Sequence, residues 1–184
     1  MKARLASENP NKASELGHAL PGWQIELLGA EEMPPEEGAT YYENAQAKAR
    51  FGRELGESDA WVLGEDSGIE VAGLGGAPGL HSARWARDGV ARMLEELCGI
   101  EGEGRRARYV CELVAVSPEG AEYRGTGILA GRIVEERRGT EGFGYDPIFV
   151  PEGEERTVAE LGNGWKAENS HRARAARALL EAIG

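Results

Sequence analysis

Two adjacent acidic residues, Glu65 and Asp66, stand between apolar segments at a point where burial is expected. Neighbouring carboxylates in a buried place repel and desolvate each other, which destabilises a fold unless a cation compensates. Magnesium is suited to this task because it binds hard carboxylate oxygens and keeps several of its waters. The pair therefore predicts a magnesium site, and an acidic β-turn without a metal is the alternative.

A second candidate lies between the first predicted strand and the first predicted helix, in the sequence Ser7-Glu8-Asn9-Pro10-Asn11-Lys12. A turn that enters a helix presents unpaired backbone N–H groups and the positive end of the helix dipole to an anion. Ser7 and Asn9 can donate further hydrogen bonds, and Lys12 adds a charge. The segment lacks the spacing of a Walker loop. It predicts either a phosphate site of another kind or a plain capped helix start.

Asn44 and Lys48 are four residues apart in a segment with helical periodicity, so they share one helix face. A carboxylate upstream in the acidic loop, Glu36, can reach the same place. This grouping indicates a site for a phosphate and a cation. An ordinary amphipathic helix with solvated charges is the alternative.

An aromatic and acidic turn follows the predicted hairpin, with the sequence Gly142-Phe143-Gly144-Tyr145-Asp146-Pro147. Phe143 can stack on a base, and Asp146 can hydrogen-bond to the edge of the base. The alternative is a hydrophobic turn that enters a strand. Near the start of the last predicted helix, Lys166, His171 and Arg172 gather hydrogen-bond donors that can bind an anion or a carbonyl group.

The basic residues are strongly biased, with 17 arginines against four lysines. Three of the lysines, Lys12, Lys48 and Lys166, fall in the candidate segments above. Lysine offers a compact charge to a phosphate oxygen, where the fork of arginine is larger. The bias favours phosphate contacts at these positions, with chance placement on a solvated surface as the alternative.

The glycine-rich segment 73–79 resembles a dinucleotide-binding loop only loosely. Its third glycine is out of register and no helix follows directly, so we reject that interpretation. The glycines are expected instead to allow close packing beside the acidic pair.

Hydrophobic periodicity predicts the elements that must position these residues. Helices are predicted over 11–20, 43–55, 89–97 and 170–183. Strands are predicted over 2–6, 24–28, 60–63, 68–71, 107–117 and 122–134, with an acidic loop over 31–40 and a hairpin turn at Pro118-Glu119-Gly120. The order mixes βα units with a hairpin, which predicts a single α/β domain over residues 1–184 around a mixed sheet.

Composition limits the partners and the compartment. A formal charge of −11 over 184 residues argues against nucleic-acid polymers and anionic membranes as partners. No apolar run approaches the roughly 20 residues that cross a bilayer, and the N-terminus has no signal-peptide core. Two cysteines predict no disulfide framework and a reducing compartment, the cytoplasm. The three histidines and two cysteines have no metal-ligand spacing, which argues against a zinc site.

In this order, the segments resemble the Ham1/RdgB family of inosine- and xanthosine-triphosphate pyrophosphatases over nearly the whole chain. The most specific matches are the Glu-Asn-Ala…Lys-Ala pattern from Glu43, Asp66-Ser67-Gly68, Gly76-Ala77-Pro78-Gly79 with Ser82-Ala83-Arg84, the turn 142–147, and Ser170-His171-Arg172. The resemblance implies magnesium-dependent hydrolysis of ITP, dITP or XTP to the monophosphate and pyrophosphate. It also implies an elongated α/β fold, with a long mixed sheet flanked by helices and two lobes around a central active-site cleft, and a homodimer.

The same resemblance implies a role for each matched position. Asp66 resembles a metal ligand and general base together, Glu36 resembles a second ligand, and Glu65 is a third candidate ligand where the family usually has aspartate. The residues implied to contact phosphates are Ser7, Asn9, Asn11, Lys12, Lys48, Ser67 and Lys166. Those implied to form the base pocket are Phe143, Gly144, Tyr145, Asp146, His171 and Arg172, and Asn44 and Arg84 complete the substrate-binding set.

Two other functions suit parts of the same pattern. A non-catalytic sensor of purine nucleotides explains the cationic loops but not the acidic pair with Glu36. A general nucleotide phosphatase would release orthophosphate instead of pyrophosphate. The reaction products therefore distinguish the three functions.

Overall fold

The computed structural model describes residues 1–30, 32–55 and 59–184. Its α-helices are α1 Pro10–Ala19, α2 Tyr41–Leu55, α3 Gly89–Glu96, α4 Val158–Asn169 and α5 His171–Ile183. Its β-strands are β1 Lys2–Ala6, β2 Gln24–Leu27, β3 Trp61–Val71, β4 Arg106–Val116, β5 Glu122–Ile133 and β6 Phe149–Pro151. The predicted acidic loop begins at Glu31, which lies outside the described residues. Within the described ranges no helix is both long and apolar enough to cross a membrane.

The six strands form one mixed sheet in the order β2-β1-β3-β4-β5-β6. β1 runs parallel to β2 and to β3, with Leu5 opposite Leu27 on one side and Leu63 on the other. β5 and β6 are antiparallel. Parallel neighbours need a crossover connection, and α1 provides it between β1 and β2. The predicted α/β class with a mixed sheet is confirmed, and each predicted helix has a counterpart that differs by at most two residues at either end.

β3 is one continuous strand, so the division into two strands over 60–63 and 68–71 is wrong, and so is the alternative of an acidic β-turn between them. Glu65 and Asp66 are both buried within it. Each carboxylate has basic side chains from other segments beside it. Because those cations compensate the buried charge, the chain has no need to turn toward solvent at this point.

α4 and β6 have no counterpart among the predicted elements. α4 contains Gly162 and Gly164, which lower helix propensity and obscure the periodic pattern. Its start does carry a recognisable signal, a capping box in which the side chains of Thr157 and Glu160 each accept the other's backbone N–H (3.2 and 2.7 Å). β6 has only three residues, too few to show an alternating pattern.

The described residues group into two compact units. The first unit comprises Met1–Asp66, Cys111–Gly127 and His171–Gly184, and the second comprises Ser67–Val110 and Ile128–Ser170. Each unit has its own buried apolar core. The single domain and the central cleft stay predictions.

Candidate active site

β3 presents its two acidic side chains to opposite faces, because consecutive residues of a strand alternate. Glu65 is 0% exposed and Asp66 is 4% exposed. Asp66 contacts Lys48, whereas Glu65 contacts Lys12 and Arg172. The two carboxylates are therefore compensated separately, by basic side chains of the chain itself.

Gly64 determines how closely α2 approaches β3. A Cβ atom at Gly64 would lie 2.0 Å from the carbonyl oxygen of Ala45. Only glycine permits this approach, so the helix backbone packs directly on the strand. Asn44 and Lys48, one turn apart on α2, are thereby brought to the side chain of Asp66.

Asp66 is held by both of these α2 side chains. Asn44 Nδ2 donates to Asp66 Oδ2 (2.9 Å), and the Lys48 ammonium lies 3.3 Å from Asp66 Oδ1. The amide oxygen of Asn44 accepts the backbone N–H of Gly38 (2.8 Å). Asn44 thus joins the acidic strand to the loop that carries Glu36.

Glu36 and Asp66 converge on one cation, since the Lys48 ammonium forms an ion pair with each of them. Their donors are hard carboxylate oxygens, and magnesium needs only one or two carboxylates when phosphates and waters complete its shell. In residues 1–30, 32–55 and 59–184 no group of three or more His, Cys, Asp or Glu side chains is placed to hold a metal. The arrangement fits a magnesium ion shared with a phosphate ligand better than a metal enclosed by protein.

Burial raises the pKa of Asp66 above its ordinary value, against the opposing effects of Lys48 and Asn44. Burial alone would lower the pKa of Lys48, but the charges of Asp66 and Glu36 outweigh it and the pKa is raised. Lys48 therefore stays charged at neutral pH, and Asp66 accepts a proton more readily than an exposed aspartate. A carboxylate of this kind suits a general base.

Glu65 lies within a chain of alternating charges. Lys12 Nζ is 2.5 Å from Glu65 Oε2, and Arg172 Nε donates to Glu65 Oε1 (3.0 Å). Arg172 also donates to Glu15 (3.0 Å). Burial raises the pKa of the adjoining Cys111 thiol well above its ordinary value, so this thiol is neutral. Lys12 and Arg172, implied to bind phosphate and base respectively, thus converge on one buried carboxylate.

The loop before α1 is a capped helix start. Asn9 is the N-cap, and its side-chain oxygen accepts the N–H of Asn11 (2.9 Å). Ser7 Oγ accepts the N–H of Asn9 (3.1 Å). Because phosphate oxygens accept hydrogen bonds, a phosphate contact here would use the Ser7 hydroxyl hydrogen and the Asn9 amide N–H as donors.

The second unit contains a buried charged pair of its own. Lys166 and Asp146 are each 3% exposed, and Lys166 Nζ donates to Asp146 Oδ2 (2.6 Å). The same ammonium lies 4.4 Å from the centre of the Phe143 ring, a cation–π contact. Asp146 also accepts from the hydroxyl of Tyr109 (3.3 Å) and the N–H of Phe143 (2.8 Å). Lys166, implied to bind phosphate, therefore contacts two residues implied to bind the base.

The donors expected to gather near the last helix have different partners. Lys166 lies in the last turn of α4 and contacts Asp146. Arg172 lies in the first turn of α5 and contacts Glu65. Ser170 lies between the two helices in an extended conformation (φ −62°, ψ 162°). The predicted donor cluster at this point stays a prediction. His171 is buried at the start of α5.

The other predicted substrate residues are Tyr145, Gly144, Ser67 and Arg84. Burial raises the pKa of Tyr145 to about 12, and its hydroxyl donates to the carbonyl of Ser82 (3.0 Å). Gly144 has a φ of 63°, which side chains rarely adopt, so it shapes the turn. Ser67 is half-buried next to Asp66, and Arg84 is exposed.

The glycine-rich segment 73–79 packs closely at one position. A Cβ at Gly73 would lie 2.6 Å from the carbonyl oxygen of Gly104. The expected close packing is therefore present at Gly73, but its partner is Gly104 and not the acidic pair.

Two residues that complete these contacts, Glu15 and Tyr109, are absent from the sequence predictions, and Ser82 appears there only within a family motif, without an assigned role. Glu15 follows Lys12 by three residues on α1, a spacing that places both on one helix face, so a signal for it existed. Tyr109 and Ser82 carry no such local signal, because their partners are distant in sequence.

The fold and these clusters define a mixed-sheet α/β protein with two buried carboxylates on its third strand, which lysines of helices α1 and α2 contact. The sequence profile of the Ham1 family matches residues 3–182, and the chain belongs to this family.

Two curated relatives bear the name dITP/XTP pyrophosphatase. The protein from Bdellovibrio bacteriovorus is 42% identical over 100% of this chain and 98% of its own length. The protein from Thermus thermophilus is 45% identical over 99% and 91%.

Two solved structures have the same fold. The Staphylococcus aureus Ham1 protein has a TM-score of 0.83 at 30% identity, covering 100% of this chain and 97% of its own. A nucleoside-triphosphatase, dITP/XTP pyrophosphatase, from Mycobacterium abscessus has a TM-score of 0.74 at 38% identity, with both chains fully covered.

Proposed function

We propose that this protein hydrolyses the non-standard purine triphosphates ITP, dITP and XTP to the monophosphate and pyrophosphate. The observation that carries the proposal is the convergence of Glu36 and Asp66 on the Lys48 ammonium. It supplies what phosphoryl transfer requires of a protein, namely carboxylates for a divalent ion and cations for phosphate charge. Family relatives named dITP/XTP pyrophosphatase support the substrate class.

Magnesium, when held by Glu36 and Asp66, supplies positive charge that neutralises phosphate oxygens and polarises water. Asp66 accepts the proton of the water that attacks the α-phosphorus, as its raised pKa favours. Asn44 orients Asp66 through their 2.9 Å hydrogen bond. Lys48 stabilises the charge on the departing pyrophosphate. The phosphate contact implied for Lys12 stays a prediction, because Lys12 is paired with the buried Glu65.

Phe143, Asp146 and Lys166 are our candidates for reading the base. Phe143 stacks on the purine, and the Lys166 ammonium, which lies over the Phe143 ring, is our candidate donor to the carbonyl at position 6 of hypoxanthine or xanthine. Adenine has an amino group there, so two hydrogen-bond donors would face each other. One buried donor would then lack an acceptor, which costs about 1–3 kcal/mol of binding free energy. We therefore assign Lys166 to the base instead of to the phosphates. The base contacts implied for His171 and Arg172 stay predictions.

The reaction products test this proposal directly. Purified protein is incubated with ITP and Mg²⁺, and the products are resolved by phosphorus NMR. We expect IMP and pyrophosphate in equal amounts and a much slower reaction with ATP. Orthophosphate would favour a general phosphatase, no product would favour a nucleotide sensor, and equal rates for ITP and ATP would contradict the base assignment.

We also propose that the protein is a cytoplasmic homodimer, on the strength of the family resemblance. Size-exclusion chromatography with light scattering is expected to give twice the mass of one chain. A mass equal to one chain would refute the dimer. Cell fractionation tests the location separately, with recovery in the membrane fraction as the opposing result.

A further inference from the structure

α4 is interrupted in the middle. At Gly162 the backbone leaves the helical region, with φ 85° and ψ 173°. In an uninterrupted helix the N–H of Asn163 would donate to the carbonyl of Ala159, four residues earlier. The interruption leaves both groups in need of other partners.

Glu141 provides both partners. Its backbone N–H donates to the carbonyl of Ala159 (3.3 Å), and its side-chain Oε2 accepts the N–H of Asn163 (2.9 Å). A single residue of the neighbouring loop therefore replaces the missing helical hydrogen bond from both ends. Its negative charge also suits the helix start that follows the break.

The loop lies directly on the helix at this break. A Cβ atom at Gly139 would lie 2.4 Å from the amide nitrogen of Glu160, and a Cβ at Gly162 would lie 3.1 Å from Glu141 Oε2. Both glycines have positive φ, 81° and 85°. Neither position accepts a larger residue without strain, so the contact between loop and helix is close and specific.

The same two segments meet again one helical turn later. Lys166 follows Asn163 by three residues, and Asp146 follows Glu141 by five. The Lys166 ammonium contacts Asp146 and lies over the Phe143 ring. Because Glu141 sets where the helix resumes, it also sets where this ammonium lies relative to the ring.

We propose that Glu141 is a positioning residue for base recognition, which it serves by capping the second half of α4 and so holding Lys166 over Phe143. The inference rests on the proposed function, which assigns the base to this cluster. Glu141 acts through Lys166 and touches no reacting atom. Its loss therefore changes KM and the choice of base, and not the chemical step.

The kinetic test compares Glu141→Ala with Glu141→Gln, and uses Glu152→Ala, an exposed glutamate of the same unit, as the matched control. Glu141→Ala is expected to raise the KM for ITP about fivefold, a free-energy change within the range measured for the loss of helix N-caps. It should also lower the ratio of kcat/KM for ITP to kcat/KM for ATP. The kcat for ITP should change less than about twofold. Glu141→Gln keeps an oxygen acceptor and should behave like the wild type, as should Glu152→Ala.

Hydrogen exchange at the amide of Asn163, followed by NMR without substrate, tests the cap independently. Glu141→Ala should speed this exchange about fivefold relative to Glu152→Ala. Unchanged exchange would overturn the cap, and faster exchange with an unchanged ITP-to-ATP ratio would overturn the positioning role. If the wild-type protein releases no pyrophosphate from ITP, the proposed function fails and the base role with it, while exchange at Asn163 still decides the cap.

Discussion

Replacing Asp66 by asparagine is expected to abolish most turnover and to leave the protein at least as stable as the wild type. The pKa of Asp66 is raised, chiefly by burial, so its ionised form is less favourable in the folded chain than in the unfolded chain. The protonated carboxyl therefore stabilises the fold. This contribution is fully present below the ordinary pKa of 3.8 and is lost as the pH rises through the raised pKa of the folded state. Asparagine has nearly the same shape without the charge, which removes the cost at pH 7.

The expected magnitudes differ greatly between stability and rate. The gain in free energy of unfolding should be about 0.5–1 kcal/mol, since Lys48 loses one charged partner but keeps Glu36. That gain raises the Tm by about 1–4 °C for a chain of this size. Loss of a general base that is also a metal ligand should lower kcat for ITP by about a thousandfold.

Asp88→Asn is a matched control with the opposite expectation. Asp88 is the exposed N-cap of α3, where its carboxylate accepts the N–H of Ala91 (3.0 Å) and pairs with Arg137 (2.6 Å). The hydrogen bond from Ala91 and then that from Arg137 hold the pKa of Asp88 below its ordinary value. Its ionised form stabilises the fold, so the variant should be less stable and fully active.

Urea unfolding followed by circular dichroism at pH 7 and pH 4, with pyrophosphate release from ITP, measures these effects. The stability difference between the wild type and Asp66→Asn should shrink as the pH is lowered from 7 to 4, because the raised pKa lets folded Asp66 take up its proton at a higher pH than an ordinary aspartate. The reasoning is refuted if Asp66→Asn keeps a kcat within about tenfold of the wild type. It is also refuted if this variant is less stable than the wild type by more than about 1 kcal/mol.

Three further outcomes follow from the same contacts. Glu36→Gln should lose rate at low Mg²⁺ and regain it as Mg²⁺ is raised in a kinetic titration, and a lack of rescue would place Glu36 outside the metal site. Gly64→Ala should lower the free energy of unfolding by about 1–3 kcal/mol in urea, because its Cβ would lie 2.0 Å from the Ala45 carbonyl; unaltered stability would contradict the close packing of α2 on β3. Burial raises the pKa of Tyr145 to about 12, so between pH 9 and pH 11 the folded state retains a proton that the unfolded state releases. Over this pH range the free energy of unfolding of the wild type should therefore fall by about 1.4 kcal/mol more than that of Tyr145→Phe. Equal losses would show that the hydroxyl titrates normally.

Local patterns in the sequence were sufficient to predict most of the fold. α1, α2, α3 and α5 were predictable because each buries one stripe of apolar residues at helical spacing. The long strands β4 and β5 were predictable from their length and the turn between them. α4 was not, because two glycines and the break at Gly162 interrupt its pattern, although Thr157 and Glu160 mark its start.

The sequence also indicated the chemistry of single positions. Asp66 could be singled out because an acidic residue within an apolar segment is costly unless it has a function. Asn44 and Lys48 could be placed on one helix face by their spacing. Residue type and short-range periodicity are local properties, and a sequence displays them directly.

Only the tertiary structure decided which charges compensate one another. Arg172 pairs with Glu65, 107 residues earlier in the chain, and Lys166 pairs with Asp146. The partners of the two β3 acids determine that β3 continues through both as a buried strand: Lys12 and Arg172 contact Glu65, and Lys48 contacts Asp66. A buried carboxylate is stable only where cations from other segments reach it, and the spacing of residues within one segment carries no information about which distant segment will supply them.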